Sequence, residues 1–204
     1  MITRRSFIAA AAATPLFAGT GFAAAAAEPA ATVQGFYDTL LATMKDGPKL
    51  GFDGRRNRLA PAMRQAFDLP LMTRLVVGPQ WQGFTPDQQR QVITAFTDFS
   101  VANYASQFDD YSGEKFVVDP KSAPAPGNDT IVRTKLLLPN DKPVQLDYLL
   151  RNIEGKWRII DVYLSGTVSQ LAARRSEFSA VLRRDGVQGL IAALKEKTKQ
   201  LASG

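Results

Sequence analysis

The residues of this chain that could do chemistry are carboxylates, lysines and tyrosines, because the sequence contains no cysteine and no histidine. Without those two residue types there can be no thiol nucleophile, no Ser-His-Asp triad, no imidazole proton shuttle and no zinc site with nitrogen or sulfur ligands. Carboxylates, lysine and tyrosine can still act as acids or bases. We therefore predict that the protein is not an enzyme and that it uses no cofactor and no metal.

Two pairs of residues could still form a small active site. Asp147 and Tyr148 match the base and the proton donor of isomerases that work in an apolar pocket, but neighbours on a strand point to opposite faces. Trp157 and Asp161 would share one strand face as a stacking platform with a proton acceptor. A structural role for Asp161, accepting hydrogen bonds from a turn or from Arg175, is the simpler interpretation. An isomerase-type enzyme is therefore the less favoured alternative.

The basic residues do not form one surface. Arg174-Arg175 and Arg183-Arg184 could meet lipid phosphates or a partner protein, and exposed surface charge explains them equally well. They lack the interleaved aromatic residues of a groove for single-stranded nucleic acid. We therefore predict no nucleic-acid partner.

The first 27 residues have the pattern of an export signal. Arg4 and Arg5 precede the bulky Phe7 and an alanine-dominated run without acidic residues. The paired arginines resemble the twin-arginine signal, and the small residues ending at Ala27 predict cleavage there. Removal leaves 23 basic and 19 acidic residues, which lowers the net charge from +6 to +4. We predict an export signal over 1–27, one domain over 28–204 and a periplasmic location, with an uncleaved membrane anchor as the alternative.

The elements that would position these residues begin with four helices. Apolar residues recur at steps of three and four, and the pattern is broken by Gly47-Pro48 and again by Asp68-Leu69-Pro70. Thr85 before Pro86 is a strong N-cap signal, and on the helix that follows Val92, Phe96, Phe99 and Asn103 share one face. The predicted helices cover about 33–44, 55–67, 71–77 and 86–106.

From Lys115 onward the apolar pattern changes to alternation, which predicts four strands. Val132, Thr134, Leu136 and Leu138 share a face of the second strand, and Val144, Leu146, Tyr148 and Leu150 share a face of the third. The fourth strand covers Lys156 to Leu164, and the last three strands form an antiparallel meander. The run from Ser122 to Asn128 is predicted to be a loop between the first two strands.

Two amphipathic helices complete the chain, over about 168–184 and 187–201, with Asp185-Gly186 between them. The order of helices, meander and helices predicts an α+β fold in which helices cover one face of the sheet.

The later part of this pattern resembles a known family. Trp157 to Val162, followed by Gly166, Ser169, Arg175, Phe178, Gly186, Leu190, Ile191 and Leu194, resembles the signature of the toluene-tolerance (MlaC) family of periplasmic lipid-binding proteins. Phe67 to Met72, Tyr104 to Asp109 and Tyr111 to Glu114 resemble its hopanoid-associated HpnM branch. The resemblance implies an NTF2-like curved antiparallel sheet of about four strands, packed by N-terminal and C-terminal helices, with an apolar pocket for lipid tails.

The resemblance also implies a function. It predicts an auxiliary component of an ABC transporter that shields phospholipid or hopanoid and shuttles it between membranes, or to an inner-membrane lipid transporter complex, with an outer-membrane partner and a role in outer-membrane asymmetry. A non-carrying adaptor subunit with a filled core is the alternative. For any single lining residue, ordinary core is the better interpretation from the residue alone, and only the resemblance favours the pocket. The predicted lipid-binding residues are Leu75, Val76, Phe96, Phe99, Leu136, Leu146, Tyr148, Leu150, Val168 and Phe178.

Overall fold

The computed structural model describes residues 28–203, so the predicted export signal lies outside the described residues. The first element is helix α1 (Pro29–Lys45), whose buried residues follow the predicted steps of three and four. Pro29 lies in the first turn, where the N–H that proline lacks would have no partner within the helix. The amphipathic pattern predicted this helix correctly.

Helices α2 (Gly47–Ala66) and α3 (Leu69–Val77) follow directly. The sequence predicted α2 from residue 55 only, but the helix starts at Gly47 because a proline in the first turn begins a helix as readily as it ends one. Gly51 interrupts α2 with φ 60° and ψ 179°, a backbone region open essentially to glycine. The Asp68 carboxylate accepts a hydrogen bond from the Leu71 N–H at 2.8 Å and caps α3.

Helix α4 (Pro86–Gln107) follows a 3-10 helix (Gly78–Gly83) and matches the prediction closely. Its start is fixed by a capping box between two residues. The Gln88 N–H donates to Thr85 Oγ1 at 3.3 Å, and the Thr85 N–H donates to Gln88 Oε1 at 2.9 Å.

The sheet is antiparallel throughout and has five strands in the order β1-β2-β3-β4-β5. The meander was predicted correctly, whereas the predicted loop over 122–128 is right only for Pro126–Asn128, which connect β1 to β2. Strand β1 continues to Ala125, and as an edge strand it tolerates Pro120 and Pro124, whose missing N–H groups need no partner on an open side. The strands are β1 (Lys115–Ala125), β2 (Asp129–Leu137), β3 (Val144–Ile153), β4 (Lys156–Leu164) and β5 (Val168–Ser169).

A bulge in β4 changes which residues share a face. Asp161 lies opposite Leu149, and Ile159 lies opposite Leu150, so Ile160 is an extra residue between them. Trp157 lies opposite Asn152, a position of the other parity on β3. The expectation that Trp157 and Asp161 share a face is therefore wrong, because one inserted residue reverses the alternation.

Helix α5 (Gln170–Ser203) is broken at Gly186, where φ is 65° and ψ is −168°. The first predicted helix began at 168, but Val168 and Ser169 pair with β4 instead. Lys197 Nζ lies 2.8 Å from Glu177 Oε1, whereas residues this far apart on a straight helix would be separated by about 30 Å. The two halves of α5 therefore fold back against each other, and the break lies at Asp185-Gly186, where the sequence predicted that one helix ends and the next begins.

The core lies between the helices and one face of the sheet. Val132, Tyr148, Leu150 and Ile159 form the buried sheet face, and each is at most 1% exposed. Val132 lies opposite Tyr148, and Ile159 lies opposite Leu150. Because Tyr148 and Leu150 are two residues apart on β3, all four side chains share one face of the sheet. The fold is therefore α+β with helices packed on an antiparallel sheet, as predicted. Among residues 28–203, no helix has the length and apolar character that crossing a bilayer requires.

Candidate functional site

A cavity of about 290 Å³ lies between the sheet and the helices. This volume is close to the lower end of the range of about 300 to 1,000 Å³ that is usual for ligand pockets. An ordinary core would be close-packed at this place. The cavity is lined by Met63, Phe67, Leu69, Met72, Phe96, Phe99, Ser100, Asn103, Tyr104, Gln107, Phe108, Leu146, Tyr148, Asp161, Val162, Leu164, Gln170, Leu171 and Arg174.

The lining is mostly apolar and aromatic, and it comes from every layer of the fold. The end of α2, the start of α3 and the residues between them contribute a wall of methionine and aromatic side chains, which includes Met63, Phe67 and Met72. Strand β4 contributes Val162 and Leu164 on the sheet side. Methionine side chains adapt to irregular shapes, so this wall can adjust to the ligand that it meets.

The mouth of the cavity is marked by the lining residues that are exposed to solvent, Gln107, Leu164 and Gln170. Near them, the Arg174 guanidinium carbon lies 4.9 Å from the centre of the Phe99 ring, in cation–π contact. Arg174 Nη1 also lies 3.2 Å from Glu177 Oε2. The Glu177 carboxylate also lies 2.8 Å from Lys197 Nζ, so Arg174 shares its anionic partner with a second cation.

Helix α4 presents a polar stripe to the cavity, formed by Ser100, Asn103 and Gln107 at helical spacing. Ser100 Oγ donates to the Phe96 carbonyl oxygen at 2.8 Å, so its hydroxyl is used within the helix. Gln107 Nε2 donates to Asn103 Oδ1 at 3.2 Å. This bond leaves the Asn103 amino group and the Gln107 carbonyl oxygen without a partner among the described residues.

Asp161 joins β4 to the start of α5. Its carboxylate accepts hydrogen bonds from Ser169 Oγ at 2.5 Å, from the Val162 N–H at 2.7 Å and from the Leu171 N–H at 3.1 Å. Burial raises the pKa of Asp161, while these three hydrogen bonds act in the opposite direction. The donors lie on β4, on β5 and in the first turn of α5, and Arg175 is not among them. Asp161 thus holds in place the part of α5 that lines the cavity.

Three tyrosines form an aromatic cluster on the inner side of the cavity. The rings of Tyr37 and Tyr148 meet edge to face at 5.6 Å, and the Tyr37 hydroxyl lies 2.7 Å from Thr134 Oγ1. Burial is the main cause that raises the pKa of Tyr37 to about 12, and it also raises the pKa of Tyr104 and of Tyr148 well above the ordinary value. The phenols are therefore neutral near pH 7, and they offer hydrogen bonds rather than proton abstraction.

The structure brings four of the ten predicted lining residues to the cavity, namely Phe96, Phe99, Leu146 and Tyr148. The other six do not line it. The spacing of apolar residues shows which face of an element is buried, but it does not show whether that face packs against a neighbour or borders a cavity. Val76, Leu150 and Phe178 are at most 2% exposed and fill the closed core. Leu136 is half-buried opposite Phe116. Leu75 and Val168 are exposed on the surface, at 38% and 52%.

Asp147 and Tyr148 do not form the pair of base and proton donor that an isomerase site would need. Tyr148 lines the cavity, whereas Asp147 does not, and its Oδ2 accepts a hydrogen bond from Gln145 Nε2 at 2.9 Å. Opposite faces of β3 separate the two side chains, as the strand period predicted. Within residues 28–203, no group of three or more carboxylates lies close enough together to hold a metal ion.

Sequence reasoning missed the polar part of the lining. An apolar criterion cannot find Gln107 or Gln170, and Leu171 lies at a helix start whose position was predicted two residues too early. The signal that could have found the stripe was the face of α4 that carries Phe96, Phe99 and Asn103, because continuing it by one turn reaches Gln107.

Comparisons with known proteins agree with this architecture. A family model described as MlaC protein matches residues 34–196. The chain is also similar to the solved structure of a phospholipid-binding protein from Ralstonia solanacearum in complex with a phospholipid, with a TM-score of 0.75 and 28% sequence identity. That match covers 86% of this chain and 99% of the other.

Proposed function

The chain belongs to the MlaC family, and on this premise we propose that it is a lipid carrier that shields the apolar part of a phospholipid or hopanoid in the cavity between its sheet and its helices. The observation that carries the proposal is the cavity itself, because its apolar walls lie where a well-packed core would otherwise be. The phospholipid bound to the similar protein from Ralstonia solanacearum supports the same ligand class.

Physical chemistry explains why such a carrier needs only moderate affinity. Each methylene exposed to water costs about 0.8 kcal/mol, so a free lipid with many of them cannot cross an aqueous space. Transfer from a bilayer into an apolar cavity exchanges one apolar environment for another and is nearly neutral in free energy. A nearly neutral transfer permits both loading and release, and the adaptable Met63 and Met72 suit a cargo of variable shape.

In this proposal the carrier works in the periplasm and delivers lipid to an inner-membrane transporter complex or to an outer-membrane partner. The export signal over 1–27 would bring it there. Helix α1 begins at Pro29, so cleavage after Ala27 would leave the first helix whole.

The hopanoid-associated branch of the family is part of the proposal. The segments that resemble it contribute directly to the cavity, since Phe67, Leu69 and Met72 come from the first and Tyr104 and Phe108 from the second. A branch defined by its cargo should differ in the residues that touch the cargo. This overlap between the resembling segments and the lining supports a fused-ring lipid as a candidate ligand.

The two rival functions fit the geometry less well. An adaptor without cargo should have a filled core, whereas this chain has a cavity. An enzyme would need a base beside a donor, and the cavity carboxylate, Asp161, is already held by three hydrogen bonds. We therefore propose a carrier without catalytic activity.

The test is native mass spectrometry of the mature protein purified from its periplasm, followed by extraction and identification of lipids. We expect about one phospholipid or hopanoid per chain, which is the stoichiometry that one cavity allows. The protein should also take up lipid from vesicles after it has been stripped. A clean apo mass with no uptake from any vesicle would overturn the carrier and favour the adaptor.

A further inference from the structure

We propose that the turn between β4 and β5 is a membrane-docking tip (residues 164–168), which inserts into the surface of an anionic bilayer and turns the cavity mouth toward the membrane. This inference rests on the proposed carrier function and adds a partner to it, namely a lipid surface. Three features carry it: exposed apolar side chains at the mouth, a fixed turn that presents them, and excess positive charge on the adjoining helix.

Two large apolar side chains are exposed side by side at the mouth. Leu164 ends β4 and Val168 begins β5, and the two residues pair across the strands. They are 40% and 52% exposed. Leu164 also lines the cavity, so the exposed pair is continuous with the cavity wall. Apolar side chains gathered on a surface mark a site that binds a partner or a membrane.

The turn that carries this pair is fixed by hydrogen bonds. Ser165 and Gly166 have φ of 55° and 73°, and positive φ at both central residues is typical of a type I′ turn. The Thr167 N–H donates to the Leu164 carbonyl oxygen at 3.3 Å, and the Ser165 N–H donates to the Gln145 carbonyl oxygen of β3 at 2.9 Å. The tip is therefore already ordered, so its insertion costs little conformational entropy.

The segment around the tip has the composition of a membrane interface. Residues 162–173 contain no charged side chain, and Arg174 and Arg175 follow directly. Tyr163, next to the tip, is half-buried. Tyrosine is typical of the boundary between lipid and water, because its ring is apolar and its hydroxyl is polar. The uncharged tip can thus enter the lipid while the two arginines stay among the head groups.

Helix α5, which follows the tip, carries the excess positive charge of the chain. It contains seven basic and three acidic residues, which gives a net charge of +4, whereas residues 28–169 contain sixteen of each and are neutral. Near the mouth, Glu177 is shared by Arg174 and Lys197, at 3.2 and 2.8 Å. One of these two positive charges is therefore unmatched, and anionic head groups attract such charges to a bilayer.

The carboxylates beside the tip do not cancel this charge at the surface. Asp161 accepts a hydrogen bond from Ser169 Oγ, and Asp147 Oδ2 lies close to Gly166. Both carboxylates are buried, at 7% and 6% exposure. A membrane lipid would thus meet the exposed Arg175 before it met either carboxylate.

Docking of the tip gives a lipid tail a dry path into the protein. With Leu164 inserted, the cavity wall and the interior of the bilayer form one continuous apolar surface, so a tail does not have to cross water. A protein with an apolar groove is the competing occupant. The observations favour a bilayer, because an uncharged tip next to basic residues matches an apolar interior beneath an anionic surface.

The test measures insertion of the tip directly. Val168→Trp places a fluorophore at the tip, and the mature protein, first saturated with lipid, is mixed with vesicles of phosphatidylcholine or of phosphatidylcholine and phosphatidylglycerol. We expect the added emission, relative to the native chain, to shift to shorter wavelength with the anionic vesicles and to be quenched by brominated acyl chains. Lys156→Trp is the control, because Lys156 is exposed and begins β4, at the opposite end from Leu164. No shift at residue 168, or equal shifts at both sites, would overturn the proposal.

Substitutions at the tip should change the affinity for anionic vesicles, which vesicle flotation measures. Val168→Thr has nearly the shape of valine and should weaken binding about two- to tenfold, because it places a hydroxyl in the apolar layer. Val168→Leu should keep the affinity. Equal binding of the threonine and leucine variants would contradict insertion, and far-ultraviolet circular dichroism confirms that each variant is folded.

The contribution of charge is tested by two pairs of substitutions that lower the net charge equally. Arg175→Gln combined with Lys199→Gln should weaken binding to anionic vesicles about five- to thirtyfold. Arg90→Gln combined with Lys156→Gln should have a much smaller effect, because Arg90 lies near the start of α4, far from Gln107 at the mouth. Equal losses in the two pairs would show a response to net charge alone and would overturn the assigned surface.

The outcomes separate this proposal from the carrier function. If the carrier function fails, native mass spectrometry finds no bound lipid, while the tip still inserts into anionic vesicles. If the protein loads lipid but residue 168 does not insert, the carrier stands and the docking tip is wrong. The latter result would favour a protein as the occupant of the exposed apolar pair.

Discussion

Asp161 is a buried carboxylate whose pKa is raised by burial, so its ionisation should weaken the folded state. An acid with a raised pKa binds its proton more tightly in the folded chain than in the unfolded chain. The stability that this proton contributes is therefore present below the ordinary pKa of 3.8, and it is lost as the pH rises through the raised pKa of the folded chain. We expect Asp161→Asn to gain stability relative to the native chain as the pH increases from about 3.5 to 7. Urea unfolding at several pH values measures this difference, and a constant difference would contradict it.

The tyrosine cluster gives a prediction at alkaline pH. The pKa of Tyr37 is raised to about 12, and those of Tyr104 and Tyr148 are also raised, because burial disfavours the phenolate. The folded state should therefore lose stability as the pH rises above 10.0, the ordinary pKa of tyrosine, because the unfolded chain then releases these protons first. We expect the absorbance of phenolate to rise in two phases, the second coinciding with loss of circular dichroism. Titration of all five tyrosines near pH 10 in a folded chain would disagree.

At the residue scale, sequence reasoning found the part of the site that shares an apolar period. Phe96, Phe99, Leu146 and Tyr148 line the cavity because each lies on the face of its element that meets the others. Leu75 has the same apolar character, yet it is exposed, since a short amphipathic helix does not reveal how widely its apolar stripe is covered. Such distinctions depend on packing between elements that are distant in the sequence.

The break within α5 is an element-scale feature that depends on one glycine. Gly186 has φ 65° and ψ −168°, and a Cβ at this position would meet no atom within 4 Å. The cost of Gly186→Ala should therefore come from the backbone alone, about 1 to 3 kcal/mol of unfolding free energy. Chemical denaturation measures it.

Gly35 is the matched control, because a Cβ there also meets no atom within 4 Å while the residue lies inside helix α1. Gly35→Ala should stabilise the protein by about 0.5 to 1 kcal/mol, since alanine favours the helix. Equal effects of the two substitutions would show that Gly186 does not impose the break between the halves of α5.

The long periodic elements were predictable, and the irregular ones were not. Helices α1 and α4 and the meander of β2, β3 and β4 repeat their pattern often enough to identify both type and face. The second half of β1 contains prolines and small residues, which are typical of loops but which an edge strand also tolerates, so composition alone does not identify it as a strand. The two-residue β5 is too short to show a period, and the β4 bulge adds one residue without any composition signal.

At the scale of the whole molecule, the cavity should accept either cargo or a larger side chain, but not both. Leu146→Trp places an indole in the cavity, so we expect bound lipid to fall strongly while the fold and its thermal transition persist. Phe99→Trp should act in the same direction. Val117→Trp is the control, because Val117 is 47% exposed on β1 and does not line the cavity. Unchanged lipid content in folded Leu146→Trp protein would refute the proposed binding site.

The two native tryptophans lie away from the cavity. Trp81 packs on Phe84 with ring centres 6.0 Å apart, and the Trp157 carbonyl oxygen accepts a hydrogen bond from Thr32 of α1 at 3.4 Å. Neither residue lines the cavity. The intrinsic fluorescence of the native chain should thus change on unfolding and change little when lipid binds. A tryptophan introduced at Phe99 or Leu146 would be a third fluorophore, and its emission wavelength would depend on the polarity of the cavity with and without bound lipid.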